Sequence, residues 1–115
     1  MAIGLQIEVE EVEQKIVLRL SGRIDAMSSS ALEKKIQTLV DEGRFQLLLD
    51  FTSVDYLSSA GMRVLLAALK KVKAKQGFLI LFSLSDDVDE VIRLAGFDKV
   101  FHILPNEKEA LQYGI

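Results

Sequence analysis

The stretch Phe45-Gln46-Leu47-Leu48-Leu49-Asp50-Phe51, followed closely by Val54-Asp55-Tyr56-Leu57-Ser58-Ser59-Ala60-Gly61-Met62-Arg63-Val64-Leu65-Leu66, decides the fold. Its first run is apolar at nearly every position, the pattern of a central parallel strand covered on both faces. Beyond the second, Met62, Leu65, Leu66, Leu69 and Val72 recur at intervals of three and four and mark the inward stripe of a helix ending at Gly77. Phe78–Phe82 is again short and uniformly apolar, which completes a β-α-β unit with the right-handed crossover usual for parallel strands. The turn carrying Ser58 and Ser59 therefore sits at a strand's carboxyl end, the edge at which open α/β sheets receive ligands and partners.

Toward the N-terminus, Leu5–Glu10 and Lys15–Ser21 alternate apolar and polar residues with period two, and the short polar link between them predicts an antiparallel pair. Gly22-Arg23-Ile24-Asp25 leaves the second of these strands. Ser28, Ser29 and Ser30 then precede Leu32, Ile36, Leu39 and Val40, and Ser30 with Glu33 fits a capping box, so a helix is predicted from here to Gly43. Toward the C-terminus, Ser85 or Asp86 caps a helix containing Val88, Val91, Ile92 and Leu94 and closed by Gly96. Val100–Leu104 reads as a last strand, and Asn106 starts a short final helix with Ala110 and Leu111.

Composition excludes several chemistries. A chain of 115 residues, half of them hydrophobic, predicts a single domain over residues 1–115. There is no cysteine and one histidine, so no disulfide framework, thiol nucleophile or histidine-rich metal site is expected. A formal charge of -3 leaves no electrostatic footprint for nucleic acid. The one basic cluster, Lys70-Lys71-Val72-Lys73-Ala74-Lys75, falls in the last turns of a helix, where cations complement the dipole. No window is long and apolar enough to span a bilayer, and Met1-Ala2-Ile3-Gly4-Leu5 is followed by acids rather than a signal-peptide core. A cytoplasmic protein is expected, with no membrane association. The glycines are spread singly, without a P-loop or dinucleotide fingerprint, so no cofactor is expected.

On spacing alone the serine pair has two readings: caps for the helix that follows, or hydroxyls displayed for chemistry. A hydrolase would draw on Ser59, the lone His102 and an aspartate, but the nucleophile elbow G-x-S-x-G is absent around Ser59. Gly61 inside a helix costs about 1 kcal/mol relative to alanine, which points to close approach by a neighbouring backbone or by a partner. Asp25 is either a turn residue or a site residue. Met27 beside it reads as core packing or as an exposed apolar contact.

The order of elements, the loop V-D-Y-L-S-S-A-G-M-R-V-L-L, the earlier S-G-R-I-D-A and the late L-A-G-F-D-K-V-F together resemble a STAS domain of the bacterial anti-sigma factor antagonist type. The resemblance implies an α/β fold, a mixed sheet of four to five strands with about four helices packed chiefly on one side. It also implies a non-enzymatic function: binding an anti-sigma factor that is a serine kinase and so releasing a sigma factor. In that family the kinase phosphorylates a serine at the start of a helix, and a serine phosphatase reverses the modification. The familiar loop reads Asp-Ser-Ser-Gly or Asp-Ser-Thr-Gly, with the first hydroxyl residue as acceptor. Aligned on Gly61, the acceptor falls on Ser59, the family aspartate on Ser58 and the second hydroxyl residue on Ala60. By the same resemblance Asp25 lies near Ser59 on the partner-facing edge, and Met27, Asp55, Ser58, Gly61 and Met62 are the further residues expected to contact the partner. STAS-like domains also serve as scaffold or sensory subunits of larger complexes without a phosphorylation switch, which is the alternative reading.

Overall fold

Pairing begins with a hairpin. In the computed structural model, which describes residues 4–114, β1 (Leu5–Val12) and β2 (Lys15–Ile24) run antiparallel from Leu5↔Gly22 to Val12↔Lys15. Met1-Ala2-Ile3, read above as lacking a signal-peptide core, lies outside the described residues, as does Ile115. Glu13 and Gln14 close the hairpin with φ of 53° and 71°, both left-handed as a two-residue type I′ turn demands.

From β2 the chain continues as α1 (Ser29–Asp41), β3 (Gln46–Leu57), α2 (Ser59–Ala74), β4 (Phe78–Phe82), α3 (Asp86–Leu94), β5 (His102–Leu104) and α4 (Glu107–Leu111). The sheet order is β1-β2-β3-β4-β5, parallel from β2 onward. Each crossover moves one strand over in the same direction. Connections of one hand then leave α1, α2 and α3 on the same face. That face holds the main core, with Ile16, Leu18 and Leu20 of β2 and Leu47, Leu49 and Phe51 of β3 packed on Leu32, Ile36, Leu65, Leu69 and Ile92 of the helices. On the opposite face α4 covers a smaller cluster of Val17, Leu48, Ile80, Phe82 and Ala110. The mixed sheet of five strands with four helices, chiefly on one side, is the architecture the sequence implied.

Several boundaries depart from the sequence reading for identifiable reasons. β3 was expected to end at Phe51 but runs to Leu57, because its alternation changes where the register with β2 shifts: Arg19↔Asp50, then Ser21↔Ser53, then Arg23↔Tyr56 and Ile24↔Leu57. One residue is gained on β2 at each of two bulge-like shifts. Phe51, Val54 and Leu57 consequently all face the core at intervals of three rather than two. By the same pairing, Gly22-Arg23-Ile24 belongs to β2 instead of leaving it.

The Ser30–Glu33 capping box does not form. Ser28 precedes α1 already in helical geometry without capping it, and the Ser30 hydroxyl donates to the Met27 carbonyl. At the C-terminal end of α2 the left-handed residue is Gln76, with φ of 63°, rather than Gly77. Gly77 serves a different need, since a Cβ there would stand 2.0 Å from the Phe45 carbonyl oxygen. The last strand is shorter than Val100–Leu104, because Val100 and Phe101 donate their N–H groups to the Phe97 carbonyl in a turn before β5.

One charged cluster ties the smaller face together. Arg19 of β2 donates to Asp50 of β3 at 3.0 Å, to both carboxylate oxygens of Glu107 at the start of α4, and to Glu10 of β1 at 3.2 Å. Partial burial opposes the Asp50 charge, but hydrogen bonds from Thr52 and Arg19 outweigh it and hold the carboxyl below its ordinary value. Arg19→Met is expected to lower stability by about 2 kcal/mol, since it strands a partly buried carboxylate. Glu107→Gln, at a more exposed position, should cost about 1 kcal/mol or less. Urea midpoints at unchanged m-value report both, and an unmoved midpoint for Arg19→Met would refute this account of the cluster.

Candidate functional site

Two loops are brought together at the carboxyl ends of β2 and β3. The Ser58 N–H donates to the Ile24 carbonyl at 2.8 Å, directly beyond the Ile24↔Leu57 pair, so the turn into α2 is fastened to the end of β2. Asp25, the next residue along, therefore leaves β2 at the same carboxyl end from which Ser58 leads into α2.

Within the first loop, the Asp25 carboxylate accepts the N–H groups of Met27 at 3.1 Å and Ser28 at 2.9 Å. The Ser28 hydroxyl in turn accepts the Asp25 N–H and donates to the Arg23 carbonyl. The backbone bond from Ser28 contributes most to holding the Asp25 carboxyl below its ordinary value, with the Ser28 hydroxyl, the Met27 N–H and Arg23 assisting against a smaller desolvation effect. This knot winds the turn ahead of α1 and explains why Ser28 takes no capping role. Met27 is pushed outward and is 88% exposed.

The second loop separates the roles of its serines. Ser58 is extended, and its hydroxyl accepts the Gly61 N–H at 3.1 Å, the geometry of an N-cap. Ser59 is the first residue of α2 and is exposed, and among the described residues no hydrogen bond engages its hydroxyl. Beneath it, Gly61 is buried: an added Cβ would lie 2.6 Å from Ile24 Cγ2 and 2.8 Å from Leu57 Cδ1. Met62 is 6% exposed and belongs to the main core. Gly61 and Met62 were expected at the partner-binding edge. Both are buried, because the helix start is pressed against the ends of β2 and β3. Asp55 is exposed on β3.

Sequence reasoning missed three neighbours. The Arg23 guanidinium lies 4.2 Å over the ring of Tyr56, itself 40% exposed, because the second register shift sets these two residues opposite one another. No pattern within either segment signals that pairing. Beside it, Gly4, Leu5, Arg23, Asp25, Met27, Ser28 and Ala31 line an open, largely apolar groove of about 460 Å³. Arg63 stands exposed on the first turns of α2.

The Ser59–His102 combination is not assembled. His102 pairs with Ile80, which pairs with Leu48 near the beginning of β3, two strands away from β3 and many residues short of Ser59 at a strand rise of about 3.3 Å per residue. Its imidazole packs edge-on against Tyr113 with centroids 4.4 Å apart. Among the described residues no group of three or more His, Asp or Glu side chains is disposed to hold a metal ion.

Comparison with known proteins agrees with this geometry. The STAS domain family model matches residues 6–110. The chain belongs to the STAS-domain family. BtrV of Bordetella bronchiseptica, named as a candidate anti-sigma factor antagonist, is 31% identical over 106 residues that cover 92% of this chain and 90% of BtrV. The anti-sigma-F factor antagonist RsfB of Mycobacterium tuberculosis is 30% identical over 95 residues, covering 83% of this chain and 77% of RsfB. A crystal structure of an anti-sigma factor antagonist from Mycobacterium paratuberculosis superposes with a TM-score of 0.85 at 29% identity, covering 94% of this STAS domain and 92% of that chain. These relatives carry the name anti-sigma factor antagonist, and none of the described helices of this chain is long and apolar enough to cross a membrane.

Two measurements check the site's construction. Gly61→Ala should gain helix propensity yet lower stability by a net of about 1 kcal/mol, since contact with the β-branched Ile24 cannot relax freely; a stabilised variant would show that the space is not restrictive. For Asp25, the depressed folded pKa means that its contribution is complete at neutral pH and is lost as pH falls through that lowered value. A carboxyl-carbon NMR titration should therefore give a midpoint below the usual value of about 3.9. A midpoint at or above it would show that the turn bonds do not favour the charged form.

Proposed function

We propose that this STAS domain is an anti-sigma factor antagonist whose edge, formed by Asp25, Met27, Asp55, Tyr56 and Ser59, binds an anti-sigma factor with serine kinase activity and so releases a sigma factor. Phosphorylation of Ser59 by that kinase switches binding off, and a serine phosphatase restores it. The observation that carries this reading is the division between the serines: the Ser58 hydroxyl is committed to the cap, whereas the Ser59 hydroxyl is exposed at the start of α2 and, among the described residues, unengaged.

The physics of the switch follows from that position. A phosphate on Ser59 adds about -1.5 to -2 charges beside backbone N–H groups that favour an anion, so the fold tolerates it. An interface packed around a neutral hydroxyl must instead desolvate a dianion or supply it with cations, and binding therefore falls. Exposed Met27 and the Arg23–Tyr56 stack offer apolar and aromatic contact area at the same carboxyl end of β2 and β3. Having serine at position 58 preserves the cap, because serine and aspartate are comparable N-caps, while removing a negative charge next to the acceptor.

Incubation with the cognate anti-sigma kinase and ATP should add one phosphate, mapped by peptide mass to Ser59. Ser59→Ala should bind the kinase like wild type and accept no phosphate. Ser59→Glu should bind at least about tenfold more weakly, about 1.4 kcal/mol. Binding unchanged in Ser59→Glu, together with no phosphate on the wild type, would remove the switch and leave a STAS scaffold.

A further inference from the structure

Ser59 and Arg63 lie one turn apart on α2. Residues four apart on a helix are surface neighbours with Cβ atoms about 5–6 Å apart. Helical side chains also lean back toward the N-terminus, so residue 63 covers the turn on which Ser59 sits. The other helix neighbours of Arg63 are Ala60, Leu66 and Ala67, none of which carries a polar side chain. Arg63 is exposed, and among the described residues it forms no ion pair, in contrast to Arg19, Arg23, Arg44 and Arg93. The first turn of α2 contains no acid that would offset a cation near the positive end of the helix. Arg63 is therefore an exposed cation, without an ion pair among the described residues, whose one polar neighbour along the helix is the Ser59 hydroxyl.

Resting on the reading of Ser59 as the phosphoacceptor, we propose that Arg63 is the positioning residue of the phosphorylated state, its guanidinium pairing with the phosphate from one turn further along α2. Arginine suits this role because its planar fork meets two phosphate oxygens at once. The pair holds the phosphate against α2 in one orientation at the partner-binding edge and gives the unpaired Arg63 guanidinium an anionic partner. Regulation at this site then depends on a cation carried by the domain itself.

The test places phosphoserine at position 59 by genetic encoding, so that no kinase is needed, and follows its second ionisation by ³¹P NMR. At low ionic strength, the wild-type midpoint should lie about 0.2–0.4 pH units below that of Arg63→Gln, the shift equivalent to an i,i+4 ion pair. Arg63→Lys should fall at the wild-type value or between the two, and about 0.5 M salt should shrink the difference. The remaining charges at this edge, Arg23, Asp25 and Asp55, are the same in all three proteins. Equal midpoints in wild type and Arg63→Gln would overturn the pairing. Failure of the kinase to modify Ser59 would instead overturn the switch and leave this titration unaffected, so the two ideas fail separately.

Discussion

The bond from the Ser58 N–H to the Ile24 carbonyl closes the parallel β2–β3 pair at its carboxyl end, and the geometry of the loops that carry Asp25 and Ser59 depends on it. Above that bond the two chains diverge, one into the Asp25–Ser28 turn and the other into α2. Below it, two register shifts let β3 gain two residues on β2 while Val54 and Leu57 continue to face the core. Without those shifts the alternation of β3 would carry one of these side chains out to solvent. Gly61 completes the arrangement, since only a residue lacking Cβ lets α2 start so close to Ile24 and Leu57.

A rigid base supports an exposed hydroxyl. Ser58 caps, Met62 anchors in the core and Asp25 stiffens the neighbouring turn, so Ser59 is presented on backbone that is bonded on both sides. This division suits a switch that acts on binding. Charge added at the exposed Ser59 hydroxyl disturbs no buried contact, which fits the proposed control of binding rather than folding. The opposite face of the sheet is organised separately, with Arg19 drawing carboxylates from β1, β3 and α4 to one guanidinium.

Much of this was legible in the sequence because it is governed by local rules. Unbroken apolar runs marked β3 and β4 as central, period-two alternation marked β1 and β2, and the stripe from Met62 to Val72 marked α2. Ser85 and Asn106 cap α3 and α4 through their side chains, as their positions before each helix suggested. The same rules misplaced Ser30, whose capping box was displaced by the Asp25–Ser28 knot, and they ended β3 at Phe51, where a spacing of three conceals a strand.

The sequence by itself determined the order of elements, the two-faced character of the sheet and the position of Ser59 at a helix start, because periodicity and capping act over a few residues. Tertiary structure alone decided that Arg23 meets Tyr56, that Arg19 meets Asp50 from 31 residues away, and that Gly61 and Met62 are buried at the start of α2. These depend on strand register and on how closely a helix approaches a sheet. Register is set by the sum of packing across the whole β2–β3 interface, so no single segment encodes it.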